Sequence, residues 1–261
     1  MMTNDNPYVL KTVADGVATL TLNRGDKFNP LSEEMMAALQ AELDAIKADQ
    51  SVRVVVLAAA GKAFCAGHDL KQMRAQPSHA YYRKLFNQCS KMMLTIQQMP
   101  QPVIARVQGI ATAAGCQLVA MCDLAVAARD AKFAVSGVNY GLFCATPSVG
   151  LARNVSRKQA MEMLLTGEFI DADTARERGL VNRVVTAEEL DAEVGKLAAS
   201  ILAKPAVAIA MGKQLFYKQL EMGIDAAYQL AGQTMACNMM DEAALEGVQA
   251  FIEKRAPGWK R

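Results

Sequence analysis

The chain predicts an α/β fold built on a largely parallel sheet, and three observations carry that prediction. The short runs Val54–Ala58 and Val103–Val107 are almost continuously apolar, as strands covered on both faces must be. Between them lies a long segment with apolar residues at helical spacing. Strand and helix signals alternate, so successive strands need helical crossovers, which leave them parallel.

The elements follow in order. Tyr8–Val13 and Val17–Leu22 flank Asp15-Gly16, a two-residue hairpin signal. Ser32 is an N-cap before Glu33 and Glu34, and Met36, Leu39, Leu43 and Ile46 form the buried stripe of the helix it starts. Strand Arg53–Ala58 leads into a loop, GKAFCAGHDLK at 61–71. A helix over about 78–98 places Tyr82, Leu85, Phe86, Cys89, Met92, Met93 and Ile96 on one face and ends at Pro100 and Pro102. Strand Val103–Val107 leads to a second loop, QGIATAAGCQL at 108–118, which opens a short helix through Met121; strand Asp123–Ala128 follows.

From about Ser156 the pattern is helical. Ser156 with Gln159, and Thr186 with Glu189, read as capping boxes. Pro205 begins a helix whose face holds Ile209, Leu215 and Phe216, and Ile224–Met240 carries Leu230, Met235, Met239 and Met240, read as core or oligomer contact. The division is an α/β core over residues 1–200 and a helical region over 201–261, with no strict repeat.

Composition narrows the function. The 261 residues are 52% hydrophobic, enough for one large core. A net charge of +2 without a dense basic run argues against a nucleic-acid partner. The longest apolar stretch, Val54–Ala60, is too short to span a bilayer. The start, MMTNDNPYVL, resembles neither a secretory signal nor a transit peptide, which predicts a cytoplasmic location. Six cysteines without a CxxC pair suit a reduced compartment, with most thiols serving as small apolar residues. With two histidines, His68 and His79, a His-rich metal site is excluded.

Chemistry concentrates in the two loops. Each follows a buried strand and carries small residues where main chain approaches something closely. Two such loops side by side can aim backbone N–H groups at one oxygen, which suits a carbonyl acquiring negative charge.

These residues resemble the crotonase, or enoyl-CoA hydratase/isomerase, superfamily. The matching stretches are AFCAGHDLK, the block at 100–127, F-A-x-x-G at 133–137, EMLLTG at 162–167, A-x-x-x-GLVNRVV at 175–185 and FIEKR at 251–255. The resemblance implies a ClpP/crotonase-like spiral of strand–strand–helix turns, with C-terminal helices that assemble homotrimers, often stacked as hexamers. It also implies an acyl-CoA ligand, with CoA carried by the substrate thioester and no separate cofactor.

By motif position the oxyanion donors are the main-chain N–H groups of His68 and Ala114. The motif also places Ala66, Asp69, Leu70 and Lys71 along the substrate, although Asp69 reads first as a local cap. Lys27 and Lys71 match positions near the CoA phosphates, and Phe251 and Lys254 match residues that reach the CoA of a neighbouring subunit. The two glutamates of the hydratase mechanism are replaced by Gln117 and Gly137. A general acid–base group contributes roughly a hundred- to ten-thousandfold, so their loss predicts little hydration. Replacement groups are sought among Asn139, Tyr140, Cys144 and Thr146, and at Thr112 on the opposite loop. The His68 side chain reads as packing before acid–base work, and Cys65 and Cys116 as filler.

Two functions compete: a crotonase-type enzyme working through an enolate, with isomerisation, thioester hydrolysis and decarboxylation all open, and a non-catalytic acyl-CoA binder or regulatory subunit that has lost turnover. A dinucleotide-binding oxidoreductase is disfavoured, because no GxGxxG follows the first strands.

Overall fold

A computed structural model describes residues 6–259, so the first five residues of the N-terminal stretch lie outside the described residues. The first hairpin pairs β1 (Val9–Ala14) with β2 (Val17–Leu22), closing through Asp15 and Gly16, both at positive φ. That is the left-handed pair a tight hairpin demands. α1 (Glu33–Ala48) is capped by Ser32 Oγ, which accepts from the Met35 N–H at 3.2 Å.

Three turns of similar plan follow. The first is β3 (Val54–Ala59), β4 (Ala63–Cys65), α2 (Leu70–Ala75) and α3 (His79–Gln98). The second is β5 (Val103–Val107), β6 (Ile110–Thr112) and α4 (Ala114–Met121). The third is β7 (Leu124–Ala128), β8 (Lys132–Ala134), a 3₁₀ turn at Ser136–Tyr140, α5 (Ala145–Leu151) and α6 (Arg157–Thr166). After β9 (Ile170–Asp171), α7 (Ala172–Glu177) and β10 (Arg183–Val185), the chain continues as α8 (Leu190–Leu202), α9 (Ala206–Gln219), α10 (Ile224–Met239) and α11 (Glu242–Ile252).

The strands form two sheets. One is ordered β1-β2-β3-β5-β7-β10 and is parallel except at the first hairpin; the other is β4-β6-β8-β9. Each turn thus contributes one strand to each sheet, and the backbone advances as a spiral. The main core lies between the sheets and helices α1, α3 and α4, around Phe64, Leu85, Met92 and Phe133.

Several local expectations shift. The Ser156 hydroxyl donates to the Gln159 side chain at 2.8 Å and does not cap α6, so this box is absent. Glu189 does reach back to the Thr186 N–H at 3.2 Å, but across a turn, and α8 starts only at Leu190. The methionine stripe is not core within the chain: Met235 and Met240 are 69% and 77% exposed. In α9 only Lys213 is buried, and its ammonium reaches Asp123 Oδ2 at 2.6 Å and the carbonyls of Ile96 and Gln101 at 2.8 Å. Tyr217 donates to the other carboxylate oxygen at 2.9 Å, tying α9 to the foot of β7. Among the described residues no single helix is long and apolar enough to cross a membrane.

Candidate active site

The two loops predicted from sequence meet. β4 and β6 pair in parallel, Cys65 opposite Ala111, so the segments leaving them run side by side. Gly67, at φ +92, lies where a Cβ would stand 3.0 Å from Ala113 Cβ and 3.4 Å from the Ala114 nitrogen. Gly115 sits still closer to the first loop, where a Cβ would fall 2.1 Å from the Cys65 carbonyl oxygen. These glycines are small because the loops touch through their main chains.

Ala113 precedes α4 at φ 52, ψ −119, a backbone position that a non-glycine residue rarely takes. Its N–H donates to the Ala134 carbonyl at 2.9 Å, which fixes the approach to the helix. The N–H of Ala114 begins α4 and has no partner among the described residues; neither has the N–H of His68. First-turn helix donors are unpaired by construction, whereas an unpaired N–H in a loop held this firmly needs a reason.

The first loop is held firmly indeed. Leu31 N–H donates to the Gly67 carbonyl at 2.8 Å, and Ala66 N–H to Phe28 at 3.0 Å. Asn29 is wholly buried at φ 51; its Oδ1 accepts from Arg24 N–H at 2.8 Å, and its Nδ2 donates to Ala60 and Ala63 at 2.8 and 2.9 Å. Gln108 Nε2 lies 2.9–3.1 Å from the carbonyls of Ala59, Gly61 and Ala63. The sequence reading missed Asn29 and Gln108, whose only signal was a polar residue beside a glycine-bearing turn. Asp69 is the N-cap of α2, accepting from Lys71 and Gln72 N–H groups at 2.9 and 3.1 Å, as its local reading expected.

Where the loops meet, a cavity of about 190 Å³ opens. Ala66, His68, Leu70 and Met73 form one wall, Ala113 and Ala114 another, and Phe86 of α3 closes a side. Ser136, Gly137, Tyr140 and the segment 142–147 complete it. The lining is predominantly apolar and contains no carboxylate. Of the residues singled out from sequence, Ala66, His68, Leu70, Ala114, Gly137, Tyr140, Cys144 and Thr146 line it. Lys27, Asp69, Lys71, Gln117, Asn139, Phe251 and Lys254 do not.

Gln117 lies one turn into α4, buried, with Oε1 unbonded behind the wall. Asn139 points instead to the Gly167 carbonyl at 3.3 Å, and Thr112 pairs with the Ser136 hydroxyl at 2.9 Å. Lys27 and Lys71 are exposed, and Phe251 is 84% exposed at the end of α11. Gly137 is not merely a vacant side-chain position: a Cβ there would stand 2.4 Å from the Leu142 carbonyl oxygen and 2.8 Å from Cys144 Sγ.

Titratable groups are few. Burial pushes the Cys65 and Cys116 thiols up to about 12, so both are inert filler. Burial also raises Cys144, whose sulfur accepts from the Gly137 N–H at 3.2 Å. His68 is held below the usual histidine range by burial, partly offset by its Nδ1 contact with the Leu31 carbonyl at 3.3 Å.

Comparison with known proteins decides the lineage. The sequence profile described as enoyl-CoA hydratase/isomerase matches residues 12–261. The chain belongs to the enoyl-CoA hydratase/isomerase family. Within that family, the human enoyl-CoA hydratase domain-containing protein 3, mitochondrial, is 43% identical over 245 residues, 94% of this chain and 81% of the relative. The details GHDLK, TAAGCQ and GVNxGLFC point to the same subgroup. A crystal structure of enoyl-CoA hydratase from Mycobacterium smegmatis is 64% identical and superposes with a TM-score of 0.96, covering 97% of this chain and 99% of that one. The crystal structure of the human domain-containing protein 3 superposes at 0.93 with 42% identity, over 97% and 100% of the two chains. The crotonase spiral expected from the motifs is therefore the fold of this family member.

One expectation is overturned. The cytoplasmic location read from the N-terminus does not stand, because the rat, mouse, frog and human relatives are named mitochondrial. N-terminal composition was therefore a poor guide to compartment.

Proposed function

We propose that the chain binds an acyl-CoA thioester and stabilises its enolate between the main-chain N–H groups of His68 and Ala114. The observation that carries this reading is the pair of unpartnered N–H groups on two loops pressed together at Gly67, beside an apolar cavity. Two donors preset toward one oxygen stabilise charge that develops there, and losing one such donor typically costs about a hundred- to thousandfold in rate. A relative from Syntrophomonas wolfei, 33% identical over 250 residues, is named crotonyl-CoA hydratase, which supports the thioester class of ligand.

Hydration itself is disfavoured. The wall carries no carboxylate, Gln117 cannot take a proton, and Gly137 has no side chain. The reactions left are those needing an enolate and one proton carrier, such as isomerisation. In this reading Lys27 and Lys71 attract the CoA phosphates, and CoA enters as part of the substrate, with no separate cofactor. Residues 201–261 form an oligomerisation region. The apolar side chains of Ile224, Tyr228, Met235 and Met240, each at least 69% exposed in one chain, fit a homotrimer or a hexamer that brings Phe251 and Lys254 to a neighbour's CoA.

The absence of a carboxylate in the wall also favours a second reading, a non-catalytic acyl-CoA binder. Mass spectrometry separates the two: acyl- and enoyl-CoA thioesters are incubated with the protein in heavy water. Deuterium at the α-carbon, or a new product, is expected of the enzyme. Binding without exchange or product identifies the binder, and failure to bind CoA thioesters at all refutes both.

A further inference from the structure

The cavity wall holds three titratable side chains, His68, Tyr140 and Cys144, and two of them are poorly placed for proton transfer. Cys144 is engaged as an acceptor by the Gly137 N–H, and burial keeps it a thiol. Tyr140 is 76% exposed, with its hydroxyl bonded to nothing among the described residues that would draw off its proton. His68 differs from both. Its Nδ1 faces the Leu31 carbonyl at 3.3 Å, an acceptor only, so Nδ1 carries the hydrogen and Nε2 keeps a bare lone pair. That Nε2 is buried and has no hydrogen-bond partner. Leaving a buried acceptor unsatisfied is costly, and a group left so calls for an explanation.

We propose that His68 Nε2 is the base that removes the α-proton of the bound acyl thioester, doing here the acid–base work for which the cavity wall offers no carboxylate. The proposal rests on the thioester reading above. In the step, the Cα–H proton passes to Nε2 and the C–H electron pair moves through Cα to the carbonyl oxygen. The resulting enolate oxygen lies between the N–H groups of His68 and Ala114. The imidazolium keeps its Nδ1–H on the Leu31 carbonyl, which favours the charged form at the moment it is made. Return of the proton to Cα restores the substrate; delivery to the γ-carbon of an enoyl chain moves its double bond.

The surroundings fit that duty. Burial holds the imidazole as the free base at neutral pH, ready to accept a proton. The neighbouring carboxylate, Asp69, is spent on the N–H groups of Lys71 and Gln72 and does not compete for it. Phe86 lines the same cavity and packs edge-on against the imidazole with ring centroids 5.5 Å apart, which holds the ring at the wall. One residue thus supplies both halves of the chemistry, its main chain to the oxygen and its side chain to the proton.

The test compares wild type with His68→Gln and His68→Ala, following deuterium entry into hexanoyl-CoA in heavy water, with affinity measured by calorimetry and folding by thermal melting. Both variants are expected to lose at least a hundredfold in exchange while hexanoyl-CoA affinity stays within about threefold. Exchange within threefold of wild type in His68→Ala overturns the proposal and leaves the enolate reading intact. Wild type that binds without exchange overturns the proposal together with the enolate; wild type that does not bind overturns the thioester reading itself. Should neither variant fold, nitrogen NMR on the wild-type protein decides, since only His68 and His79 contribute imidazole signals. The Nδ1–H tautomer and an Nε2 resonance that moves on adding acetoacetyl-CoA are expected. The opposite tautomer, or an unmoved Nε2, overturns the proposal.

Discussion

Gly137 offers the sharpest test of how this chain differs from one that holds a carboxylate at that position. A Cβ at 137 would stand 2.4 Å from the Leu142 carbonyl oxygen, whereas ordinary contacts begin near 3.4 Å. The Leu142 backbone must therefore withdraw by about 1 Å, and Cys144 Sγ, at 2.8 Å, must also move. That motion strains a tight turn: Leu142 N–H donates to the Gly137 carbonyl at 3.0 Å, Gly141 N–H to Val138 at 3.1 Å, and Gly137 N–H to Cys144 Sγ at 3.2 Å. Overpacking of this kind, with one weakened hydrogen bond, costs about 3 kcal/mol. For a chain of this size that lowers the melting temperature by roughly 6–12 °C. Gly137→Ala is expected to show that loss by calorimetry. Gly137→Glu carries the same Cβ, so it destabilises as much and gains no hydration of crotonyl-CoA, followed by loss of the enoyl-thioester absorbance. A Gly137→Ala variant melting within about 2 °C of wild type would refute the steric argument. A Gly137→Glu variant that hydrates would refute the view that the turn has closed over this position.

Four further outcomes follow from the same geometry. Gln117→Glu preserves shape but places a carboxyl behind the wall without a partner, so its pKa rises and hydration increases by less than about tenfold in the same assay. Asp123→Ala leaves the Lys213 ammonium buried with only carbonyl partners, and chemical denaturation should register a loss of about 3–5 kcal/mol. Asn29→Ala removes three hydrogen bonds from the base of the first loop; a stability loss of about 2–3 kcal/mol and weaker hexanoyl-CoA binding are expected. Because burial lowers the His68 pKa, the unfolded chain binds that proton more tightly than the folded one. The stability this group contributes is complete above the unfolded value of about 6.5 and is lost as pH falls toward the folded one. Wild type should therefore lose more stability than His68→Gln between neutral pH and pH of about 5, measured by denaturant titration.

By itself the sequence determined whatever depends on neighbours along the chain. The hairpin at Asp15-Gly16, the cap at Ser32, the Asp69 cap of α2 and the stripe of α3 could be read because each rests on contacts a few residues apart. The runs of β3 and β5 were legible because strands covered on both faces admit few polar residues. The family motifs then named the two loops. Only the tertiary structure decided what distant segments do to one another. The strands of each turn divide between two sheets, a pairing that no strict repeat in the sequence announces. The same long-range packing set Gly137 against Leu142, put Gln117 behind the cavity wall, and left His68 Nε2 without a partner. It also separated two methionine patterns that look alike in one dimension. Met92 and Met93 of α3 are buried against the core, whereas Met235 and Met240 of the C-terminal helices face outward. Helical spacing says that a stripe will be covered; what covers it depends on where the helix is carried.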